Sequence, residues 1–204
     1  MLHIKTLPLG SYQTNCYIVW AEGASTCAVI DPGYEAARIL RETQALGLTI
    51  DAVLLTHGHF DHVGAVEELV KTTDCALWMH EGDYSQFPNP TNAYFYPLAN
   101  CDFAEVQLCE EGEVIRVGGL TFTVLTTPGH TYGSVCYKCD DALFCGDTLF
   151  AGSCGRIDLP GGDRAAMLET LARLAEMKEN LRIFPGHGPA STLAQEQESN
   201  PYLQ

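Results

Sequence analysis

Bases are scarce in this chain of 204 residues: 11 lysines and arginines face 26 aspartates and glutamates, for a formal charge of −15. A surface of that sign repels a phosphate backbone, which argues against nucleic acid as a general partner, though solubility alone accounts for the acidity. Long apolar runs are missing as well. Nothing approaches the roughly 18 unbroken apolar residues of a membrane span, so no membrane role is expected. The opening MLHIKTLPLG contains no apolar segment closed by a small-residue cleavage site, which predicts a cytoplasmic protein without a signal peptide. A disulfide framework is also lacking. The nine cysteines are odd in number and irregularly spaced, as expected of free thiols in a reducing compartment. Cys136 and Cys139 form one C-x-x-C, but no second pair completes a zinc knuckle. The run SVCYKC reads as a strand, where residues three apart face opposite sides.

What is present is an ordinary globular balance, 46% hydrophobic and 18% charged, in a length that suits a single domain over residues 1–204. Alternating apolar and β-branched residues predict strands at Ile4–Leu7, Cys16–Trp20, Thr26–Ile30, Ala52–Thr56 and Ala76–Met79. Further strands follow at Glu113–Val117, Leu120–Thr126, Ser134–Tyr137, Ala142–Cys145 and Arg182–Phe184. Helical spacing marks Tyr34–Leu46, His62–Lys71 and Arg164–Asn180. Residues 83–104, rich in proline, asparagine and tyrosine, read as a long loop. Each half is a set of strands followed by helix, with neither linker nor repeat. That pattern predicts one α/β domain, two packed sheets with helices on the outside.

Five of the seven histidines fall in three short segments: Thr56-His57-Gly58-His59-Phe60-Asp61-His62, Pro128-Gly129-His130 and Pro185-Gly186-His187-Gly188. Each segment directly follows a predicted strand, and Asp147 in Cys145-Gly146-Asp147-Thr148 does the same. Loops at one end of a sheet can converge on one point from a rigid platform. The residue types then select metal chemistry, because divalent ions take neutral imidazole nitrogen and carboxylate oxygen, about three protein ligands per catalytic ion with a place left for water. Seven such side chains, three and three with one shared carboxylate, suit two ions. His57 and His59, two apart in an extended stretch, face one ion, and Asp61 and His62 open the next helix toward the other. His3 and His80 have no such partners and are expected at the surface or as caps.

At these residues the sequence resembles the metallo-β-lactamase superfamily, whose signature His-x-His-x-Asp-His, then His, Asp and His, is present in order. The resemblance implies an αββα sandwich. It implies that His57, His59 and His130 hold a first ion, Asp61, His62 and His187 a second, with Asp147 bridging. Asp61 and Asp147 become the catalytic carboxylates. Within the superfamily the stretch Gly146–Arg156 is similar to the glyoxalase II group, hydrolases of hydroxyacyl-glutathione thioesters, and implies that Arg156 contacts the thiol part of the substrate. Two departures separate it from the large members: no C-terminal helical glutathione-binding domain follows, and Asp158 stands where they carry an aromatic residue. Gly155–Asp163 resembles the short single-domain relatives instead. True β-lactamases usually carry cysteine at the position of Asp147, which counts against antibiotic hydrolysis.

The expected activity is thioester hydrolysis on a small molecule by a water that two divalent ions acidify, zinc first, with iron or manganese accepted by the same ligands. A thiolate departs unaided at a pKa near 8.5, whereas an amide nitrogen needs a proton donor. Tyr132 and the aromatic residues 94–96 are candidates for pocket lining or core. A rival resemblance is to iron persulfide dioxygenases, which share the Gly-Arg-x-Asp run and hold one iron, here through His57, His130 and Asp147. A third possibility is a non-catalytic metal-binding or redox-partner module. The flavin-linked relatives usually have glutamate at the position of His59, and no flavin-binding segment is present.

Overall fold

The computed structural model describes residues 1–87, 94–95 and 106–204. In chain order the first half contains β1 (Leu2–Leu9), β2 (Thr14–Ala21), β3 (Thr26–Ile30), α1 (Ala36–Ala45), β4 (Thr49–Leu54), α2 (Phe60–Val63), α3 (Val66–Thr73), β5 (Ala76–His80), α4 (Glu81–Tyr84) and β6 (Val106–Cys109). The second half contains β7 (Val114–Val117), β8 (Leu120–Thr126), β9 (Val135–Cys139), β10 (Ala142–Gly146), β11 (Leu149–Phe150), β12 (Ser153–Cys154), α5 (Arg164–Glu176), β13 (Arg182–Pro185), β14 (Ser191–Thr192) and α6 (Leu193–Ser199). Two six-stranded sheets result, ordered β1-β2-β3-β4-β5-β6 and β14-β13-β10-β9-β8-β7. The strands β3 to β6 run parallel, as do β10 and β13.

The layering follows from the apolar pattern. A strand sends alternate side chains to opposite faces, and strands covered on both sides are apolar on both. In β3, Cys27 and Val29 join Ile39 of α1 and Leu69 of α3, while Ala28 and Ile30 face the other sheet. In β10, Ala142 and Phe144 enter the space between the sheets, and Leu143 and Cys145 meet Met167, Leu171 and Leu174 of α5. The layers are therefore helix, sheet, sheet, helix, the αββα sandwich expected. Cys136 faces α5 and Cys139 the inter-sheet core, so the C-x-x-C is strand packing rather than a metal knuckle. No disulfide occurs among the described residues. No helix among them is long and apolar enough to cross a membrane.

Several boundaries differ from the sequence reading for identifiable reasons. The helix expected over His62–Lys71 is two pieces, α2 and α3, interrupted at Gly64 and Ala65. Gly64 lies hard against Gly33, where a Cβ would come 2.2 Å from the carbonyl oxygen. The helix expected to reach Asn180 stops at Glu176, with Met177 extended at ψ 135°. Gln197 Nε2 donates to the carbonyls of Leu174, Ala175 and Met177 and so closes that end. The segment 83–104 begins inside α4, and most of it falls outside the described residues. The strand β6 and the short β11, β12, β14 and α6 carry too little periodicity to be foreseen.

Phe144 is fully buried, with ring centroids 5.2 Å from Phe184, 5.3 Å from Tyr17 and 6.4 Å from Phe122. Phe144→Ala is expected to lower the unfolding free energy by about 3–5 kcal/mol, as cavity formation at a buried phenylalanine does. Urea unfolding followed by circular dichroism measures it, and a loss under about 1 kcal/mol would show that the two sheets can close over the gap.

Candidate metal centre

Loops that leave β4, β8, β10 and β13 converge at one end of the sandwich. The loop after β4 brings His57 and His59, α2 brings Asp61 and His62, the loop after β8 brings His130, and those after β10 and β13 bring Asp147 and His187. All seven line or underlie one place. Nδ1 of His59 and Nε2 of His130 are 2.9 Å apart. His187 Nε2 is 3.3 Å from Asp61 Oδ2 and 3.5 Å from Asp147 Oδ2. Asp147 lies between the two groups, with Oδ1 3.4 Å from His62 Nε2 and Oδ2 3.6 Å from His130 Nε2. Two sets of donors, His57/His59/His130 and Asp61/His62/His187, each have ligand atoms within 4.8 Å of one another.

The backbone admits this crowding only where a side chain is missing. A Cβ on Gly186 would lie 2.2 Å from Asp147 Oδ1 and 2.7 Å from the His62 ring, and a Cβ on Gly155 would lie 1.7 Å from the Asp147 carbonyl. Gly186 lets the β13 loop touch the β10 loop, and Gly155 lets the segment after β12 close on Asp147.

Each inward-facing nitrogen is fixed by what the other nitrogen of its ring does. The Nδ1 of His62 donates to Asp31 Oδ2 at 3.0 Å, that of His130 to the Arg156 carbonyl at 2.7 Å, and that of His187 to the Tyr12 carbonyl at 3.3 Å. Thr56 Oγ1 donates to Asp31 at 2.7 Å and so accepts from His57 Nδ1 at 3.1 Å. The lone pairs of these four rings therefore sit on Nε2, facing inward. Buried His57 Nε2, His59 Nε2, His62 Nε2 and Asp147 Oδ1 have no hydrogen-bond partner. Buried polar atoms rarely go unsatisfied, and lone pairs gathered on imidazole and carboxylate are what a divalent cation satisfies. The donor set fits metal.

The electrostatics agree. Burial, reinforced by neighbouring imidazoles, holds His57 well below the usual histidine range and pushes His59 down to about 3. Burial also lowers His130, so these three rings are neutral lone-pair donors. Burial likewise disfavours charge on His62, but Asp147 and Asp31 outweigh it and raise the ring above its ordinary value. His187 is raised against burial by Asp61 and Asp147. Burial works against ionised Asp147 too, yet His62, His130 and His187 hold its carboxyl below the carboxylate range. The carboxylates thus raise the proton affinity of two histidines, the same pull that a bound cation would feel.

Above these groups opens a cavity of about 580 Å³ walled by Tyr12, Phe60, Tyr94, Phe150, Leu159 and Arg156. The sequence model of the metallo-beta-lactamase superfamily matches residues 9–187. The chain belongs to the metallo-beta-lactamase superfamily. It is 34% identical, over 99% of its length and 98% of the other's, to hydroxyacylglutathione hydrolase GloC of Haemophilus influenzae. Among solved structures it is similar to BLEG-1, described as a B3 metallo-beta-lactamase, with 33% identity, TM-score 0.84, and coverage of 98% of this chain and 99% of that one. It is likewise similar to TTHA1623 in a di-iron-bound form, with 38% identity, TM-score 0.83, and coverage of 98% and 100%.

Several residues that build this superfamily site escape a search for metal-ligand motifs. Asp31 accepts from Thr56 N at 2.8 Å as well as from Thr56 Oγ1 and His62, and so orients two of the imidazoles. Its signal was available, since Asp31-Pro32-Gly33 follows β3 as the histidine segments follow their strands. Thr14 Oγ1 donates to Asp61 Oδ2 at 3.2 Å. Asn15 Nδ2 donates to the carbonyls of Pro185 and Gly188 and fixes the His187 loop from β2. No short-range pattern could have revealed contacts this distant in sequence.

The side chain of Arg156 lies at the cavity wall, exposed, with its guanidinium forked onto Asp158 through two hydrogen bonds of 2.7 Å. Its carbonyl, not its side chain, reaches His130. Tyr94 lines the cavity, while Phe95 is buried against His59 and Phe87; Tyr96 lies outside the described residues. Tyr132 is exposed and lines neither this cavity nor the core. His80 caps α4 by accepting from Gly82 N, and His3 stacks on Trp20, as residues apart from the site were expected to behave.

Gly186→Ala forces a methyl into the Asp147–His62 contact and is expected to lower the unfolding free energy by about 1–3 kcal/mol, the range of overpacking. Urea midpoints measure the loss, and an unchanged midpoint would show slack between the loops.

Proposed function

We propose that the protein is a metal-dependent thioesterase of the hydroxyacylglutathione hydrolase type. The observation that carries this reading is the set of unpartnered nitrogens and the Asp147 carboxylate gathered at the floor of an open cavity. The similarity to GloC over nearly the whole of both chains supports the choice of thioester. On this reading His57, His59 and His130 hold one divalent ion, Asp61, His62 and His187 hold a second, and Asp147 serves both. Zinc is the expected metal, with iron or manganese acceptable to the same donors. Bound there, the ions supply Lewis acidity, which acidifies a water and withdraws electrons from a carbonyl.

The chain's own residues do the rest. Tyr12, Phe60, Tyr94 and Phe150 wall the cavity, so the body of a small substrate meets aromatic faces while its reacting carbon faces the floor. Thr14 holds Asp61, and Asp31 holds His57, through Thr56, and His62; fixed in this way, the donors need no rearrangement during the reaction. A thiolate leaves without protonation at a pKa near 8.5, so thioester cleavage asks for no general acid. Arg156, already paired with Asp158, can offer its remaining N–H groups to a carboxylate on the thiol side. The eight cysteines described are all free, in keeping with a cytoplasmic setting.

Asp147→Ala is expected to reduce thioester turnover by more than about a hundredfold, beyond the 10–100-fold typical of residues that only support a ligand. The far-UV spectrum is expected to stay unchanged. Turnover at the wild-type level would reject the reading. Removal of metal by a chelator is expected to abolish turnover, and a divalent ion to restore it. The same preparation assayed on a β-lactam and, by oxygen uptake, on a persulfide separates the alternatives. Activity on either without thioester cleavage would replace this proposal.

A further inference from the structure

A buried carboxylate outside the seven residues joins the two loops that carry the first donor set. Asp83 lies in α4, directly beyond the end of β5, and is completely buried. Its Oδ2 accepts from Gly58 N at 2.7 Å and from Thr131 Oγ1 at 2.8 Å, and its Oδ1 accepts from Gly133 N at 2.7 Å. Gly58 is the residue between His57 and His59, and Thr131 directly follows His130. One side chain thus ties the His-x-His segment to the Pro-Gly-His segment, each at the residue next to a histidine.

The chemistry of these contacts is demanding. Burial of the Asp83 carboxyl pushes its pKa up to about 6, opposed by the three donors and by no cation among the described residues. A buried carboxylate without a countercharge is costly, and an apolar side chain would fill the same space at less cost. What an apolar side chain cannot do is accept backbone N–H groups on two oxygens that point to two different loops. The neighbourhood leaves no slack for a substitute geometry. A Cβ on Gly133 would lie 2.4 Å from Asp83 N, and one on Gly58 would lie 2.9 Å from the Phe95 ring. Thr131 is itself held, its Oγ1 2.7 Å from Ser134 Oγ and its N–H donating to that same oxygen at 3.1 Å.

We propose that Asp83 is a positioning residue that sets the spacing between the His57/His59 loop and the His130 loop, and so the affinity of that donor set for its ion. The inference rests on the metal reading above. It also predicts an asymmetry, because none of Asp83's contacts reaches the His187 loop, and Asp61 and His62 are tied to it only through the segment they share with Gly58. Asparagine has the shape of aspartate but a single acceptor oxygen. Gly58 N–H and Gly133 N–H lie on opposite oxygens and can only donate, so the amide nitrogen of an asparagine must confront one of them.

The test is zinc titration of metal-free full-length protein in competition with a chromophoric chelator, with urea unfolding of the metal-free forms alongside. Wild type is expected to bind two equivalents. In Asp83→Asn one equivalent is expected to weaken by about 10–100-fold, the effect typical of groups that orient metal ligands, while the other is unchanged. The loss is expected to be non-additive with His59→Ala and additive with His187→Ala, since only the first pair shares a donor set. Phe144→Ala, which destabilises the inter-sheet core and touches none of the Asp83 contacts, is expected to leave both affinities intact. Asp83→Asn binding both equivalents as wild type, or weakening both alike, would overturn the inference and leave the metal reading standing. Wild type that binds no zinc would instead overturn the metal reading, and this inference with it. If Asp83→Asn does not fold, Thr131→Val removes one of the three donors at nearly constant shape. Weakening of one equivalent in that variant supports the proposal, and unchanged binding of both overturns it.

Discussion

The structure is organised around a concentration of unshared electron pairs. Five imidazoles and two carboxylates are drawn together out of water, and three of the ring nitrogens and one carboxylate oxygen find no donor there. Buried polar groups of this kind cost free energy unless something satisfies them, and here only positive charge can satisfy all of them together. The same pull shows in the chain by itself, where the carboxylates raise the proton affinity of His62 and His187. His57, His59 and His130 are kept neutral by burial and by one another. The site is built to receive a cation, and the fold around it carries the cost of holding it open.

That cost explains features that have no role in catalysis as such. Gly155 and Gly186 lack side chains because Asp147 and His62 occupy the space. Asp31, Thr56, the Arg156 carbonyl and the Tyr12 carbonyl each take an Nδ1–H and thereby decide which nitrogen faces inward. Asn15 and Tyr17, both on β2, hold the Pro185 carbonyl from the opposite sheet. The inter-sheet aromatic core of Tyr17, Phe122, Phe144 and Phe184 holds the two sheets together, and each donor set takes ligands from loops of both.

Much of this was legible in the sequence because two local signals coincide. Strand periodicity located most of the strands, and each histidine segment begins where a strand ends, so convergence at one sheet edge followed from topology. The αββα layering followed from strands apolar on both faces. Three things were hidden. The break between α2 and α3 depends on the approach of Gly64 to Gly33, a contact across the fold. Asp83 looks like a cap residue in the sequence, since what distinguishes it is the identity of the donors it meets, 25 to 50 positions away. Arg156 was singled out for its side chain, and the structure gives its carbonyl the closer tie to the site through His130. Spacing separated His57 and His59 from Asp61 and His62, and the family resemblance supplied the places of His130, His187 and Asp147.

The central claim is that this cluster holds two divalent ions, and crystals grown with zinc test it most directly through anomalous scattering at the zinc edge. The account predicts two peaks at the cavity floor. One would lie about 2.0–2.1 Å from nitrogens of His57, His59 and His130, the other at like distances from His62 and His187 and bound to Asp61, with Asp147 touching both. Absence of any peak there, or zinc bound only at surface carboxylates, would contradict it.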